Sequence, residues 1–439
     1  MTPSQASPTA TFVRAEMLPP QIPPSSQRGV VHWLHENLVS SWLNAILTVA
    51  SLYVLYVILS TVGPWFSRSV WNASSLQECR QIIEATWGQG KTGACFAVIH
   101  ERWQQIIFGF YPPELYWRPT LVLVLMLLAL APVLFSAVVP RMFLLFSVCF
   151  PAVAFWLLWG GTVWLPVTIM LALVVSYVVW RVLADVNGLL ALVAGGVAPL
   201  LWWLYAAGPL ANALQSVVPI GITGIQSHQF GGFLLSAVIG VSGIVFSLPL
   251  GILLALGRQS DMVLVKSICI GFIEGLRGVP LITLLFTASL LLNYFLPPGT
   301  EFDIILRVII MVTLFSAAYM AEVIRGGLAA LPRGQYEAAD SLGLDYWKAQ
   351  QLIIMPQALK VSIPGIVGNF IGLFKDTTLV SFIGLQDPLQ LVSSIRANTE
   401  WNGVYWEPLI FAGFLFFIFC FSMSRYSLYL EQKLKTDHR

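Results

Sequence analysis

The sequence predicts an all-α, polytopic membrane protein with about ten transmembrane helices, and three observations support this fold class. Of the 439 residues, 57% are hydrophobic and only 10% are charged, whereas soluble domains carry about 25% charged residues. Apolar runs of about 20 residues, the length that crosses a bilayer, recur along the chain. Lysine and arginine concentrate in alternate connections, which indicates a consistent orientation in the membrane.

The overall composition excludes several other classes of protein. A net charge of +2 gives no basic surface for nucleic acid, and five cysteines are too few for a disulfide scaffold. The Pro-, Ser-, Thr- and Gln-rich start, up to Val31, lacks a basic stretch followed by an apolar core. It therefore predicts a disordered cytoplasmic tail over about 1–40, followed by an uncleaved membrane anchor.

The apolar runs form two groups, separated by the moderately apolar linker "GPLANALQSVVPIGITGIQSHQF". We predict an N-terminal membrane region over 41–228 with about five spans, a five-helix region over 229–430 and a tail over 431–439. The predicted spans are 42–62, 119–140, 142–160, 163–182, 188–207, 229–256, 267–296, 304–324, 363–385 and 407–428.

The distribution of basic residues predicts that both termini lie in the cytoplasm. With this orientation the short outside loops hold almost no lysine or arginine, Arg396 being the exception. The insert over 63–118 would lie outside, and it is so long that the preference of lysine and arginine for the cytoplasmic side applies to it only weakly.

Cys79 and Cys95 lie in this insert, sixteen positions apart. An oxidising periplasm would favour a disulfide between them, and the alternative is two free thiols in a loosely folded loop.

The polar stretch "GQYEAADSLGLDYWKAQQLIIMP", Gly334 to Pro356, predicts a helix, a sharp turn and a second helix. Pro332 can open the first helix and Gly343 can end it. Asp345 can cap the second, which is expected to end at Pro356. Two small side chains, Ala338 and Ala339, lie beside Glu337 and would suit close docking to a partner. The alternative is an ordinary amphipathic surface loop.

Ionisable residues inside the predicted spans are costly in lipid, so each one is a functional candidate. Glu274 and Arg277, like Glu322 and Arg325, are three residues apart and share a helix face, which also allows simple local ion pairs. Lys375 and Asp376 do not face each other and need other partners. The candidate substrate path comprises Glu274, Arg277, Glu322, Lys375, Asp376, Thr377 and Thr378. In the cluster formed by the last four, the cation suits a substrate carboxylate, and the anion and hydroxyls suit an ammonium group. The alternative for the last four is a structural network between subunits.

"ATWGQGKT", Ala85 to Thr92, fits a relaxed nucleotide-binding loop but lacks the preceding strand that such a loop needs. Lys91 is therefore interpreted as a solvated loop charge. The five histidines have no metal-ligand spacing, and no nucleophile–base–acid set stands out. The sequence predicts no cofactor, no metal site and no catalytic role.

The spacing Glu-Ala-Ala, three residues, Gly343, nine residues, Ile353, one residue and Met355-Pro356 resembles the signature loop of ABC importer permeases. Met355 stands where leucine is usual in that family. Three flanking stretches resemble its polar amino-acid branch: "AYMAEVIRGGLAALPRGQYEAADSLGL", "IEGLRGVPLITLLF" and "LFKDTTLVSFIGLQD". The resemblance covers about 229–430, and the long N-terminal half resembles the longer permease subunit of general L-amino-acid importers.

The resemblance implies that the polar loop is a coupling helix seated in a separate ATPase subunit. The coupling residues would be Gly334, Glu337, Ala338, Ala339, Gly343, Ile353 and Pro356. It also implies a periplasmic amino-acid-binding protein and a second, different permease subunit in an inner membrane. Two other functions stay open at this point: a stand-alone secondary transporter or channel energised by ions, and a membrane ATPase that would use Lys91.

Overall fold

The computed structural model describes residues 29–135, 138–186, 188–295 and 303–434. Most of the predicted N-terminal tail and the last five residues lie outside the described chain. The tail was predicted to reach residue 40, whereas its described part contains a helix. The helices are α1 (Gly29–Leu38), α2 (Trp42–Ser67), α3 (Leu76–Trp87), α4 (Ala97–Phe108), α5 (Trp117–Leu134), α6 (Leu144–Trp159), α7 (Trp164–Ala184), α8 (Gly188–Leu201), α9 (Ala207–Val217), α10 (Gly232–Gln259), α11 (Val263–Arg277), α12 (Leu281–Phe295), α13 (Ile304–Ala329), α14 (Arg333–Ser341), α15 (Tyr346–Ala349), α16 (Met355–Asp376), α17 (Pro388–Ala397) and α18 (Trp406–Leu434). Two short strands, β1 (Gly161–Thr162) and β2 (Gly221–Ile222), pair antiparallel.

Nine helical segments of the described chain are long and apolar enough to cross a membrane, which confirms the predicted all-α polytopic class. The span predicted over 267–296 is not one continuous helix. It consists of α11 and α12, which are bent by 100° relative to each other. The bend lies at the sequence Gly278-Val279-Pro280, because a proline ring crowds the preceding helical turn and supplies no N–H to continue it.

The chain divides into two compact units, and the smaller one contains the residues up to Ser69 together with Ile82–Ala94. Its main element is the apolar helix α2. The backbone N–H of Ala94 donates to the carbonyl of Trp65 at 2.9 Å, close to the end of α2. This bond fixes the end of the 82–94 segment beside that helix.

In the larger unit, the N-terminal spans are held together at one end by polar contacts with the linker that follows α9. The buried guanidinium of Arg118, at the start of α5, donates to the carbonyl of Thr223 at 2.8 Å and to its hydroxyl at 2.7 Å. The indole of Trp159, at the end of α6, donates to the Ser227 hydroxyl at 2.8 Å. Two spans are therefore joined to a segment that the sequence identified only as a linker.

The second half of the larger unit is built around α10 and α13, which pack along each other, with α16 against α13 and α18 against α16. Small residues allow these helices to approach closely. A Cβ atom at Gly251 of α10 would lie 2.7 Å from the Cβ of Met320, and one at Gly327 of α13 would lie 2.6 Å from the carbonyl oxygen of Ala358. Any larger side chain at either glycine would push the helices apart.

Within the larger unit, α4 follows Cys95 and contacts α10, α17 and α18. Cys79 and Cys95 are joined by a disulfide, with their Cα atoms 6.0 Å apart. Both sulfurs are buried in an apolar cluster that includes Trp401. This cluster lies near the first residues of α10, whose 28 residues extend about 42 Å to the end of the bundle that carries α14.

Candidate functional site

The polar loop between α13 and α16 forms the predicted helix, turn and helix. Three residues separate α13 from α14, and α14 ends at a tight turn. Gly343 has φ +67°, a conformation that favours glycine. Its N–H donates to the carbonyl of Asp340 at 2.9 Å, and the next N–H, of Leu344, donates to the carbonyl of Ala339 at 3.3 Å. Gly343 therefore ends α14 and reverses the chain, as its position in the sequence predicts.

The second helix begins as predicted, but it does not end at Pro356. The carboxylate of Asp345 accepts the N–H of Lys348 at 2.9 Å and caps α15. The backbone then passes through a π-helical turn, Gln350–Ile354, directly into α16, whose first turn contains Pro356. A wider turn accommodates the proline ring and its missing N–H, which explains why the helical path continues. The loop is thus continuous with a membrane span.

The outer face of the loop combines an acidic residue with large apolar side chains. Glu337 and Ala338 are exposed on α14. Leu342 and Trp347 are 71% and 64% exposed. The prediction that Ala339 also faces a partner is wrong, because this residue is only 1% exposed. Its small side chain lets α14 lie close to its own chain.

The inner face of the loop anchors it to the helix bundle. Tyr336 and Ile353 pack against an apolar cluster that includes Met320 and Ile324 of α13. The amide of Gln357 on α16 donates to Gln335 on α14 at 2.9 Å. Gly334 is exposed, and a Cβ there would meet nothing within 4 Å, so its role in the loop is not one of packing.

Three members of the predicted substrate path lie in one ion network at the same end of the bundle. One guanidinium nitrogen of Arg258, at the end of α10, lies 2.9 Å from a carboxylate oxygen of Glu274 and 2.7 Å from one of Glu322. Arg325 lies 2.9 Å from Glu322. Arg277 lies 3.7 Å from Glu322 and 4.0 Å from Glu274. The network therefore joins α10, α11 and α13.

Arg258 is the member of this network that sequence analysis missed. It lies 16 residues before Glu274 and 64 before Glu322. No helical spacing connects positions so far apart, so the sequence contains no signal for these contacts. The two pairs with a spacing of three, Glu274–Arg277 and Glu322–Arg325, are both present in the structure.

Of the other members of the predicted substrate path, Lys375 and Asp376 are the last two residues of α16, and Thr377 and Thr378 begin the short 3-10 helix that follows. Lys375 is exposed in the single chain and Asp376 is partly buried, and the ion pairs of the described residues include neither. The hydroxyl of Thr377 donates to the carbonyl of Phe374 at 2.8 Å, and that of Thr378 donates to the carbonyl of Lys375 at 3.0 Å. Because each hydroxyl already donates its hydrogen, it can only accept a hydrogen bond from a ligand.

The two groups of charges are separated along the bundle. The hydroxyl of Ser362, on α16, donates to the carbonyl of Val323 at 3.3 Å, which places Ser362 level with Glu322. Asp376 follows Ser362 by 14 residues, or about 21 Å of helix. The predicted path is therefore two distinct clusters.

The "ATWGQGKT" segment has the wrong structural context for a phosphate-binding loop. The residues before it form α3, whereas such loops follow a strand. Gly88 and Gly90 both have positive φ in the open loop that follows α3. This geometry supports the interpretation of Lys91 as a solvated charge.

The second half of the chain matches a known family of transport proteins. Residues 247–436 match the family described as "Binding-protein-dependent transport system inner membrane component". A crystal structure of an amino acid ABC transporter with histidines aligns with 46% of this chain and 91% of that chain, with a TM-score of 0.41 and 28% identity.

Two relatives match almost the whole chain. The glutamate/glutamine/aspartate/asparagine transport system permease protein BztC of Rhodobacter capsulatus is 60% identical over 98% of this chain and 99% of its own length. The inner membrane amino-acid ABC transporter permease protein YhdY of Escherichia coli is 38% identical over 94% of this chain and 95% of its own length. These matches confirm the resemblance seen in the sequence: the chain belongs to the amino-acid ABC transporter permease family and is a membrane-spanning permease subunit of such an importer.

Proposed function

We propose that this permease takes part in the import of glutamate, glutamine, aspartate and asparagine. The observation that carries the substrate class is the 60% identity to BztC over 98% of this chain. The alignment covers the insert and the N-terminal spans as well as the second half. A periplasmic binding protein would deliver these amino acids, and a separate subunit would hydrolyse ATP.

We propose that the loop containing α14 lies in the cytoplasm, with both chain termini, and docks in a groove of the ATPase subunit. The exposed side chains of Glu337, Leu342 and Trp347 supply one charge and two apolar anchors for this contact. The hydrogen bond between Gln357 and Gln335 attaches α14 to α16. Movement of the ATPase would therefore move the attached spans.

We propose that a second, different permease subunit packs beside α16 and that the substrate path runs between the two subunits. Lys375 is exposed in the single chain, and a lysine that faced hydrocarbon would be costly. A protein partner and a polar path both remove that cost. In such a path the Lys375 ammonium suits a substrate carboxylate, and Asp376 suits the substrate ammonium.

Ion-driven transport by this chain alone has less support. The acidic residues Glu274 and Glu322 are both paired with arginine at 2.9 Å or less, so neither is a free carboxylate poised to carry a coupling ion. The alternative of a membrane ATPase has no structural basis, because the "ATWGQGKT" segment follows a helix and a phosphate-binding loop follows a strand.

The proposed function is tested by reconstitution of the tagged chain in proteoliposomes, first alone and then with its co-purified subunits and a binding protein. We expect uptake of labelled glutamate only with the complete set and ATP. Unlabelled glutamine, aspartate and asparagine should compete, and arginine should not. Glutamate accumulation by this chain alone would contradict the proposal, as would a complete complex that prefers arginine.

A further inference from the structure

The ion network formed by Arg258, Glu274, Arg277, Glu322 and Arg325, here called the brace, joins three helices through one central carboxylate. Glu322 of α13 is 16% exposed and has guanidinium nitrogens of Arg258 and Arg325 within 3 Å. Arg258 uses the same nitrogen for Glu274 of α11, at 2.9 Å. Three arginines and two glutamates leave a net charge of +1. Separation of the helices would take Arg258 and Arg277 away from this largely buried carboxylate and leave it only Arg325 of its own helix, which is unfavourable.

The apolar contacts beside the brace hold the same three helices together. Leu256 of α10, Ile273 of α11 and Ile324 of α13 belong to one buried cluster. At Gly257 a Cβ atom would lie against the sulfur of Cys269 on α11, so these two helices are in close contact. A gate that opened between α10, α11 and α13 would have to part this packed core as well as the ion pairs. The geometry therefore favours a fixed connection over a gate.

The brace lies on the route between the polar loop and the bent helix pair. Glu322 is two turns from the end of α13, and α14 begins after three further residues. Arg277 is the last residue of α11, directly before the 100° bend into α12. Its guanidinium also lies 5.5 Å from the centre of the Tyr319 ring on α13. A displacement of α13 would thus be transmitted to α11 and to the bend.

We propose that Arg258, Glu274, Arg277 and Glu322 are positioning residues that make α10, α11 and α13 move as one rigid body when the ATPase displaces the polar loop. This inference rests on the proposed coupling role of α14. The brace itself does not contact substrate. Its removal should uncouple ATP hydrolysis from uptake and leave substrate recognition intact.

The first test measures glutamate uptake and binding-protein-stimulated ATP hydrolysis in the reconstituted complete importer. Arg258→Gln and Glu322→Gln should each lower the amount of glutamate moved per ATP by roughly tenfold, with an unchanged KM for uptake. The double variant restores the net charge of +1 and should lose less than the product of the two single losses. Lys266→Gln, an exposed charge on α11 outside the network, is the matched control. Equal losses of uptake and ATP hydrolysis in both single variants would overturn the proposal.

The second test distinguishes a brace from a gate. Gly257→Cys places a thiol beside the native Cys269, in a background with Cys149→Ser and Cys420→Ser that retains the Cys79–Cys95 disulfide. Oxidation should link α10 to α11 and leave uptake within twofold of the unlinked chain. The same chain with Cys269→Ser controls for effects of oxidation. Loss of uptake on linking, recovered with reductant, would identify a gate and refute the brace.

Failure of the brace and failure of the coupling role give different results. If α14 does not couple to an ATPase, Glu337→Arg leaves uptake and complex formation intact, whatever the brace variants do. If only the brace is wrong, Glu337→Arg still abolishes uptake while the Arg258 and Glu322 variants retain the normal ratio of glutamate to ATP. Should Gly257→Cys fail to reach the membrane, the charge series alone decides the question.

Discussion

The backbone N–H of Cys95 donates to the carboxylate of Glu407 at 2.8 Å, across 312 residues of sequence. Glu407 is in the first turn of α18 and only 6% exposed. The disulfide between Cys79 and Cys95 is thereby attached to the last span of the permease. The part of the insert that begins at Cys95 is integral to the larger unit, because its backbone and the last span share a buried hydrogen bond.

Glu407→Ala should destabilise the protein, because it leaves the buried N–H of Cys95 without its acceptor. We expect a loss of about 1–3 kcal/mol in the free energy of unfolding. Thermal unfolding in detergent measures it. The control is Glu400→Ala, which removes an exposed pair with Arg102 and should cost less than about 1 kcal/mol. Equal melting temperatures for the two variants would contradict the structural role of Glu407.

Glu337→Arg should leave the chain inserted in the membrane but weaken its association with the ATPase and abolish uptake. The exposed carboxylate lies on the outer face of α14, and its reversal places a cation where the partner groove would meet an anion. Co-purification and uptake are the measurements. Glu84→Arg, an exposed acidic residue on α3, is the matched control and should behave as wild type. Normal uptake by Glu337→Arg would count against the coupling role.

Two glycines of the polar loop should respond differently to alanine. Gly343 has φ +67°, so Gly343→Ala should cost about 1 kcal/mol and loosen the turn between α14 and α15. Gly334 lies within α14, where a Cβ meets nothing within 4 Å. Gly334→Ala should therefore be neutral, or stabilising by up to about 1 kcal/mol. Thermal unfolding and uptake compare the pair, and the reverse order of effects would refute the turn assignment.

Lys375→Gln should raise the KM for glutamate uptake if the ammonium group meets a substrate carboxylate in the path. The removal of one charged hydrogen bond predicts roughly a tenfold to hundredfold change. Lys375→Arg keeps the charge and should retain more activity. Complex formation with the second permease is measured in parallel. If Lys375→Gln loses the second permease and keeps its KM in whatever complex remains, then Lys375 serves the subunit interface instead.

Asp387, at the end of the bundle opposite α14, makes the stability of the folded protein depend on pH. Its carboxyl group is fully buried before α17, with one oxygen bonded to the N–H of Gln390, and burial raises its pKa from 3.8 to about 6. The folded chain therefore binds this proton more tightly than the unfolded chain does. The resulting stability is fully present below about pH 4 and is lost as the pH rises to about 6.

Asp387→Asn should remove this pH dependence, because the amide keeps the capping oxygen and carries no charge. At pH 7.5 the variant should be more stable than wild type, by an amount on the order of 3 kcal/mol. The two proteins should converge near pH 4. Thermal unfolding of both between pH 4 and pH 8 measures the difference. A difference that grows toward acid pH would show that the buried carboxylate is stabilised, and would contradict this assignment.

Much of the fold follows from local features of the sequence. Apolar runs predict spans because a helix in lipid must satisfy its backbone internally and present apolar side chains outward. The turn at Gly343 and the cap at Asp345 are also local, since each depends on a few consecutive residues. The break at Gly278-Val279-Pro280 also has a local signal, a glycine and a proline. It was missed because apolar residues continue on both sides of it and suggest one uninterrupted span.

The sequence by itself determined the membrane class, the series of spans and the position of the polar loop, because these depend on composition and on neighbouring residues. Only the tertiary structure decided that Ala339 faces inward and that Arg258 joins Glu274 to Glu322. Burial of one side of a short helix depends on how that helix is rotated against its neighbours. An ion pair across three helices depends on their packing, and no spacing along the chain encodes it.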